Sequence, residues 1–251
     1  MCSDDKILLD RVGRCTWLEA LNGSSVSWYR EIGTKTHTAL DAGARGLEED
    51  GAAIVGILAL LPSAGCLTAL DMSGNSLNFA GVMALTNVFS SLVLLRELWL
   101  GYNDFGSKGA FVTGDLSTLT SLEVLDLQGN RFFDSGGPEL AQGLRLLTSL
   151  RELYLQYNDL GNQSGTALAE AVSAMTLLEV LDLDGNKIGK EGCQAVASSA
   201  AGLTRLRSLD MQRNTGALEV AKTIESMRSP QLPGLELVIS DGILEGSGLD
   251  S

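Results

Sequence analysis

The sequence predicts an α/β solenoid: a right-handed βα superhelix with a parallel concave sheet of about eight strands and helices on its convex side. Three observations carry that prediction. The pattern L-x-x-L-x-L-x-x-N-x-L, with Met, Phe, Ile or Gly at some of its last two leucine positions, starts at Leu67, Leu95, Leu122, Leu150, Leu178 and Leu206. From Leu40, the second leucine of each unit falls at Leu70, Leu98, Leu125, Leu153, Leu181 and Leu209, in steps of 30, 28, 27, 28, 28 and 28 residues. Each pattern is followed by a small residue and then by an Ala- or Leu-rich run. A period of this length marks stacked units, each burying its apolar side only against its neighbours.

Taken in order, residues 1–33 do not keep the period. Ile7, Leu8, Val12, Trp17, Leu18 and Leu21 are spaced for a short apolar helical face. The first unit of a stack needs a cover, so this segment is expected to be an N-terminal cap, or else the continuation of a longer protein. The repeats occupy 34–240. The first is degenerate, with Leu40, Ala42, Arg45 and Leu47 at the pattern positions. Asn75, Asn103, Asn130, Asn158, Asn186 and Asn214 then mark the turn after each strand. A buried Asn amide both donates and accepts, so stacked turns predict an asparagine ladder. Arg45 has no acceptor, so the first turn must differ. Six residues past that position stands Gly51, Gly81, Gly109, Gly136 or Gly192, with Ser164 as the exception. Helices are expected in the runs that follow, such as Ala52–Leu58, Ala167–Ala174 and Gln194–Ala200. One more step reaches Leu237, predicting a closing strand within Leu235–Ser240. Residues 241–251 are small and polar and are expected to form a loose tail.

These residues resemble the ribonuclease-inhibitor-like class of leucine-rich repeats, over roughly residues 34 to 240. The resemblance implies a leucine-rich repeat solenoid. That class includes ribonuclease inhibitors, Ran GTPase-activating proteins and the sensor segments of NOD-like receptors. It therefore implies binding of a macromolecule on the concave or rim surface, without choosing among those roles. The nucleotide-binding motif that a full NOD-like receptor needs is not in this sequence.

Composition narrows the partner. A net charge of −13 argues against a nucleic-acid backbone and favours a basic protein or peptide. Cys2, Cys15, Cys66 and Cys193 form no C-x-x-C pair, which predicts free thiols in a reducing, cytoplasmic setting. No apolar run is long enough to span a bilayer, so no membrane insertion is expected.

Residues between the strand leucines face the concave solvent. The column between the second and third leucines reads Asp41, Asp71, Trp99, Asp126, Tyr154, Asp182 and Asp210. Glu97 and Glu152 stand just before the second leucine, and Asp184 just after the third. Tyr102 and Tyr157 lie one residue further on, at the rim. Aromatic rings beside carboxylates suit a Lys or Arg side chain. The candidate partner-binding residues are therefore Glu97, Trp99, Tyr102, Asp126, Glu152, Tyr154, Tyr157, Asp182 and Asp184. Charges also alternate: Arg96, Glu123, Arg151, Glu179 and Arg207 in one column, Asp104, Arg131, Asp159 and Lys187 in another. In-register neighbours of opposite sign stabilise a sheet modestly, and the alternation reads as a duplicated two-repeat unit.

No catalytic, metal or cofactor site is expected. His37 has no evident nucleophile or metal partner. Asp182-Leu-Asp184-Gly-Asn186 opens like a calcium loop, but Lys187 and Cys193 stand where glycine and the closing glutamate are needed. Gly101 to Lys108 misses the phosphate-loop spacing by one residue. Asn22 and Asn162 are glycosylation acceptors only in a secreted chain. The sequence thus favours a non-enzymatic scaffold binding a basic partner on its concave face. The alternatives are a small-GTPase regulator working through Asp104, Arg131, Asp159 and Lys187 on the rim, or a structural subunit docked by its convex helices.

Overall fold

The computed structural model describes residues 39–41, 67–110, 116–221 and 236–238. The cap expected at 1–33, the Ala52–Leu58 run and the tail at 241–251 lie outside these residues. So do Ala42, Arg45 and Leu47 of the first repeat.

The strands are β1 (Ala39–Asp41), β2 (Ala69–Asp71), β3 (Glu97–Trp99), β4 (Val124–Asp126), β5 (Glu152–Tyr154), β6 (Val180–Asp182), β7 (Ser208–Asp210) and β8 (Glu236–Val238). They form one parallel sheet in sequence order. Each second leucine pairs with the next, from Leu40 opposite Leu70 to Leu209 opposite Leu237. Strands of three residues suffice because their middle leucines seal the core. Leu70, Leu98, Leu125, Leu153, Leu181 and Leu209 are each at most 1% exposed.

Beyond each turn the chain returns through a helix: α1 (Asn78–Phe89), α2 (Gly106–Gly109), α3 (Phe133–Leu144), α4 (Asn162–Ala174) and α5 (Lys190–Ala200). Two of these begin earlier than apolar spacing suggests, α4 five residues before Ala167 and α5 four before Gln194. The early starts follow from capping across repeats. Gly161 and Gly189 stand extended at the two N-caps and offer no side chain. The Asp134 Oδ1 of the preceding repeat accepts the Ser164 N–H at 2.8 Å. Asn162 Oδ1 likewise accepts the Gly192 N–H at 2.6 Å. The starts of α4 and α5 are thus satisfied from the preceding repeat.

The small residue six past the asparagine is explained by the same contact. A methyl on Gly136 would come within 3.0 Å of the Ser107 carbonyl oxygen, and one on Gly192 within 2.9 Å of Asn162 Oδ1. Ser164 departs from glycine because its hydroxyl has partners: it lies 2.8 Å from Asp134 Oδ1 and 3.2 Å from the Asp134 carbonyl. Pro138, inside α3, removes the N–H that this carbonyl would otherwise receive.

The asparagine ladder runs through the described turns. The N–H groups of Asn75, Asn103, Asn130 and Asn158 donate to Oδ1 of the next asparagine at 2.8–3.1 Å. Each Nδ2 donates backwards as well, as Asn158 does to Leu127 and Leu155 at 2.9 and 3.0 Å. All six asparagines are at most 3% exposed.

Candidate functional site

The concave column of aspartates has a backbone role that alternation alone does not disclose. Asp71, Asp126, Asp182 and Asp210 each accept, on Oδ1, the N–H two residues later, at 2.8–2.9 Å. A short carboxylate closing its own turn is a local device of the strand end. In Asp71, Asp182 and Asp210 the remaining oxygen is what a ligand could use; that of Asp126 is taken by Gln128.

Trp99 and Tyr154 replace aspartate in two of these repeats. Register puts Trp99 opposite Asp126 and Asp126 opposite Tyr154, so two strand spacings, about 9.6 Å, separate the two backbones. The rings nevertheless stack with centroids 6.1 Å apart and planes 24° from parallel. They lean together over the strand between them, and both remain half-buried on the concave side. The Tyr154 hydroxyl donates to Glu152 at 2.8 Å. Burial, and then the bonded Glu152 carboxylate, push that hydroxyl up to about 12.

Two candidate carboxylates are consequently not solvent-facing, which corrects the expectation from sequence. Asp126 is only 2% exposed. It lies under the two rings, and Gln128 Nε2 donates to its Oδ2 at 2.8 Å. Gly101 leaves room beside it, since a methyl there would sit 2.9 Å from Oδ2. Burial raises its pKa above the usual carboxylate value, against the Gln128 hydrogen bonds. Asp184 is 7% exposed because Arg213 covers it. The Arg213 Nε donates to Asp184 Oδ1 at 2.7 Å, and a second guanidinium nitrogen bonds Asp184 Oδ2 and the Tyr157 hydroxyl.

Sequence reasoning missed Arg213. It occupies the position of Tyr102 and Tyr157, in a column that reads Gly74, Tyr102, Gly129, Tyr157, Gly185, Arg213. All six have φ between 53° and 66°. The glycine that follows each tyrosine in the column serves packing as well as backbone freedom. A methyl on Gly129 would lie 2.5 Å from the Tyr102 ring, and one on Gly185 the same distance from the Tyr157 ring. Each tyrosine therefore lies over the glycine of the next repeat, and Arg213 stands 5.0 Å from the Tyr157 ring centroid. Tyr102 and Tyr157 keep 54% and 42% of their surface exposed.

Of the remaining candidates, Glu97 is exposed, while Glu152 and Asp182 are half-buried. Asp182 and Asp210 are in-register neighbours. Burial first, then the carboxylates of Asp210 and Asp184, raise the Asp182 pKa to about 6, while the Asp184 N–H and Arg213 oppose the rise. Burial also raises that of Asp210. Structure brings the candidates together in two groups: Glu97, Trp99, Asp126, Glu152, Tyr154 and Asp182 on the strands, and Tyr102, Tyr157 and Asp184 along the rim.

The alternating charges pair as neighbours. Arg96 bonds Glu123; Glu123 meets Arg151 at 3.4 Å, Arg151 meets Glu179 at 2.6 Å, and Glu179 meets Arg207 at 3.2 Å. Asp104 pairs with Arg131 at 3.0 Å and Asp159 with Lys187 at 2.6 Å. The four rim residues considered for a GTPase are thus engaged with one another. On the convex side, Phe79 and Met83 of α1 are 40% and 44% exposed. Cys193 is a buried free thiol whose pKa burial raises to about 12. Among the described residues no group of His, Cys, Asp and Glu could hold a metal ion, and no helix is long and apolar enough to cross a membrane.

Four segments of the chain match a known family model. A family model described as Leucine Rich repeat matches residues 66–85, 118–141, 147–169 and 174–197. No curated protein matches the chain. Among similar solved structures is an internalin from Listeria monocytogenes, 18% identical, with 84% of each chain covered and a TM-score of 0.23. The sheet and the ladder make the described residues a parallel βα solenoid, and four of its segments match the leucine-rich repeat model.

Proposed function

We infer that the chain is a non-enzymatic protein-binding scaffold whose concave face takes a basic protein segment in a reducing, cytoplasmic compartment. One observation carries this reading. Asp182 and Asp210 lie side by side on the concave face with no ion pair to a Lys or Arg among the described residues, whereas Glu123, Glu179, Asp104, Asp159 and Asp184 all have one. Like charges facing each other across neighbouring strands oppose sheet formation, and a cationic guest removes that opposition. The Trp99–Tyr154 stack adds a flat apolar floor for the stem of a Lys or Arg side chain. The curvature of a solenoid creates an extended concave binding surface, which supports the choice of face.

The test is fluorescence anisotropy with a labelled Lys-rich peptide, the wild-type chain and a chain carrying Asp71→Asn, Asp182→Asn and Asp210→Asn. These changes keep the Oδ1 acceptor that closes each turn. Affinity is expected to fall at least tenfold, and to fall for the wild type as pH drops from 7 through about 6, where Asp182 takes up a proton. Equal binding by both chains overturns the reading. Replacing Trp99 and Tyr154 by alanine is expected to weaken the same peptide while leaving the fold in place, as checked by circular dichroism.

A further inference from the structure

The rim column offers a period as well as a charge. Tyr102 and Tyr157 occupy equivalent positions two repeats apart, each ring lying over the intervening glycine of the next repeat and leaning the same way. Two parallel-strand spacings put the rings about 9.6 Å apart. A polyproline II helix advances about 9.3 Å per three-residue turn. An α-helix repeats every ~5.4 Å, and an extended strand presents one face every ~6.6 Å. Of the three regular peptide conformations, polyproline II matches the spacing in a single turn. Both rings pack against glycine backbone and stay partly exposed, Tyr102 more than Tyr157, over whose ring the Arg213 guanidinium stands, and exposed aromatic rings are what proline-binding grooves present. Asp184 and Arg213 neutralise each other just beyond Tyr157, so the negative charge left on that side belongs to Asp182 and Asp210.

We propose that the partner segment is a basic polyproline II helix. It crosses the repeats with prolines three residues apart seated on Tyr102 and Tyr157, and with a Lys or Arg two or three residues beyond the second proline beside Asp182 and Asp210. The assignment rests on the concave-face reading above and adds to it a conformation, a spacing and a second set of contacts. Its polyproline backbone is already ordered before docking, so less conformational entropy opposes binding than for a flexible basic chain.

The experiment uses a fluorescein-labelled peptide containing Pro-Ala-Ala-Pro-Ala-Lys-Lys. One control replaces its first and fourth residues by alanine, and a second inserts one alanine between them. The proline peptide is expected to bind the full chain at least tenfold more tightly than either control. That advantage should vanish in the Tyr102→Ala, Tyr157→Ala chain and persist in the Tyr102→Phe, Tyr157→Phe chain. Tyr102→Ala alone removes one exposed ring and should give at least a threefold loss, which keeps the test decisive if the double variant does not fold. Equal binding of all three peptides, or an advantage left undiminished by Tyr102→Ala, overturns the proposal. If the peptides bind equally but Asp182→Asn with Asp210→Asn weakens them all, the basic-segment reading stands and the polyproline assignment falls. If those two changes weaken none of them, the concave-face reading itself falls.

Discussion

Asp182 sets a conflict into the sheet. Its carboxylate closes its own turn, yet it shares the concave surface with Asp210 and is partly desolvated. A carboxyl raised to about 6 in the fold, against 3.8 for the ordinary group, binds more protons folded than unfolded between those values. Its contribution therefore favours the fold below that window and opposes it above, so this group's part of stability declines as pH rises through about 6. Asp182→Asn keeps the accepting oxygen and removes the charge. Thermal melts at pH 7 should show a Tm higher by roughly 2 °C, consistent with relief of a like-charge neighbour. The variant should also vary less with pH than the wild type between 4 and 6; an unchanged or lowered Tm at pH 7 contradicts this account. At this scale the sequence was legible in direction only. Alternation correctly put Trp99 and Asp126 on one side of the sheet. It could not foresee that two rings, each one strand away, would lean together and cover Asp126, since cover depends on rotamers of neighbouring repeats. Arg213 escaped because it stands in a column otherwise filled by glycine and tyrosine, and only the folded rim brings it to Asp184.

Between elements, the helices borrow their caps. α4 and α5 begin after extended glycines, and their third N–H groups are received by Asp134 and Asn162 of the preceding repeat. Asn162 also donates to Glu191 at 2.8 Å, so its whole amide is spent on α5. Replacing a capping Asn by Ala typically costs about 1 kcal/mol. Asn162→Ala should therefore destabilise the chain by about that amount in denaturant melts, and hydrogen exchange should rise at the start of α5 rather than of α4, where the substitution sits. Exchange confined to α4 would mean the cap is local after all. The sequence showed where helices follow turns, because Ala-rich apolar spacing is a signal within one repeat. It did not show where they start, because the capping group lies 28 to 30 residues earlier and no local motif marks it. Gly136, Gly192 and the exceptional Ser164 were visible as a pattern, and only the approach of the preceding repeat explains them.

For the molecule as a whole, the period was the most readable feature, since every repeat answers to the same packing. The register of the sheet, the buried asparagines and the paired columns of Arg and Glu all follow from that clock. The alternation of those pairs, and of tyrosine with glycine, means that the unit of construction is two turns of the solenoid rather than one. Lengthening the protein should obey that grammar. A tandem copy of residues 122–177 places Glu179 after Arg151 as before and should raise Tm or leave it unchanged. A copy of 122–149 alone sets Glu123 beside a second Glu123, and one buried Asp126 next to another with half its aromatic cover missing. That shorter insertion should melt at a lower temperature than the parent, although it adds the same kind of core, so the array can grow by even steps and resists odd ones.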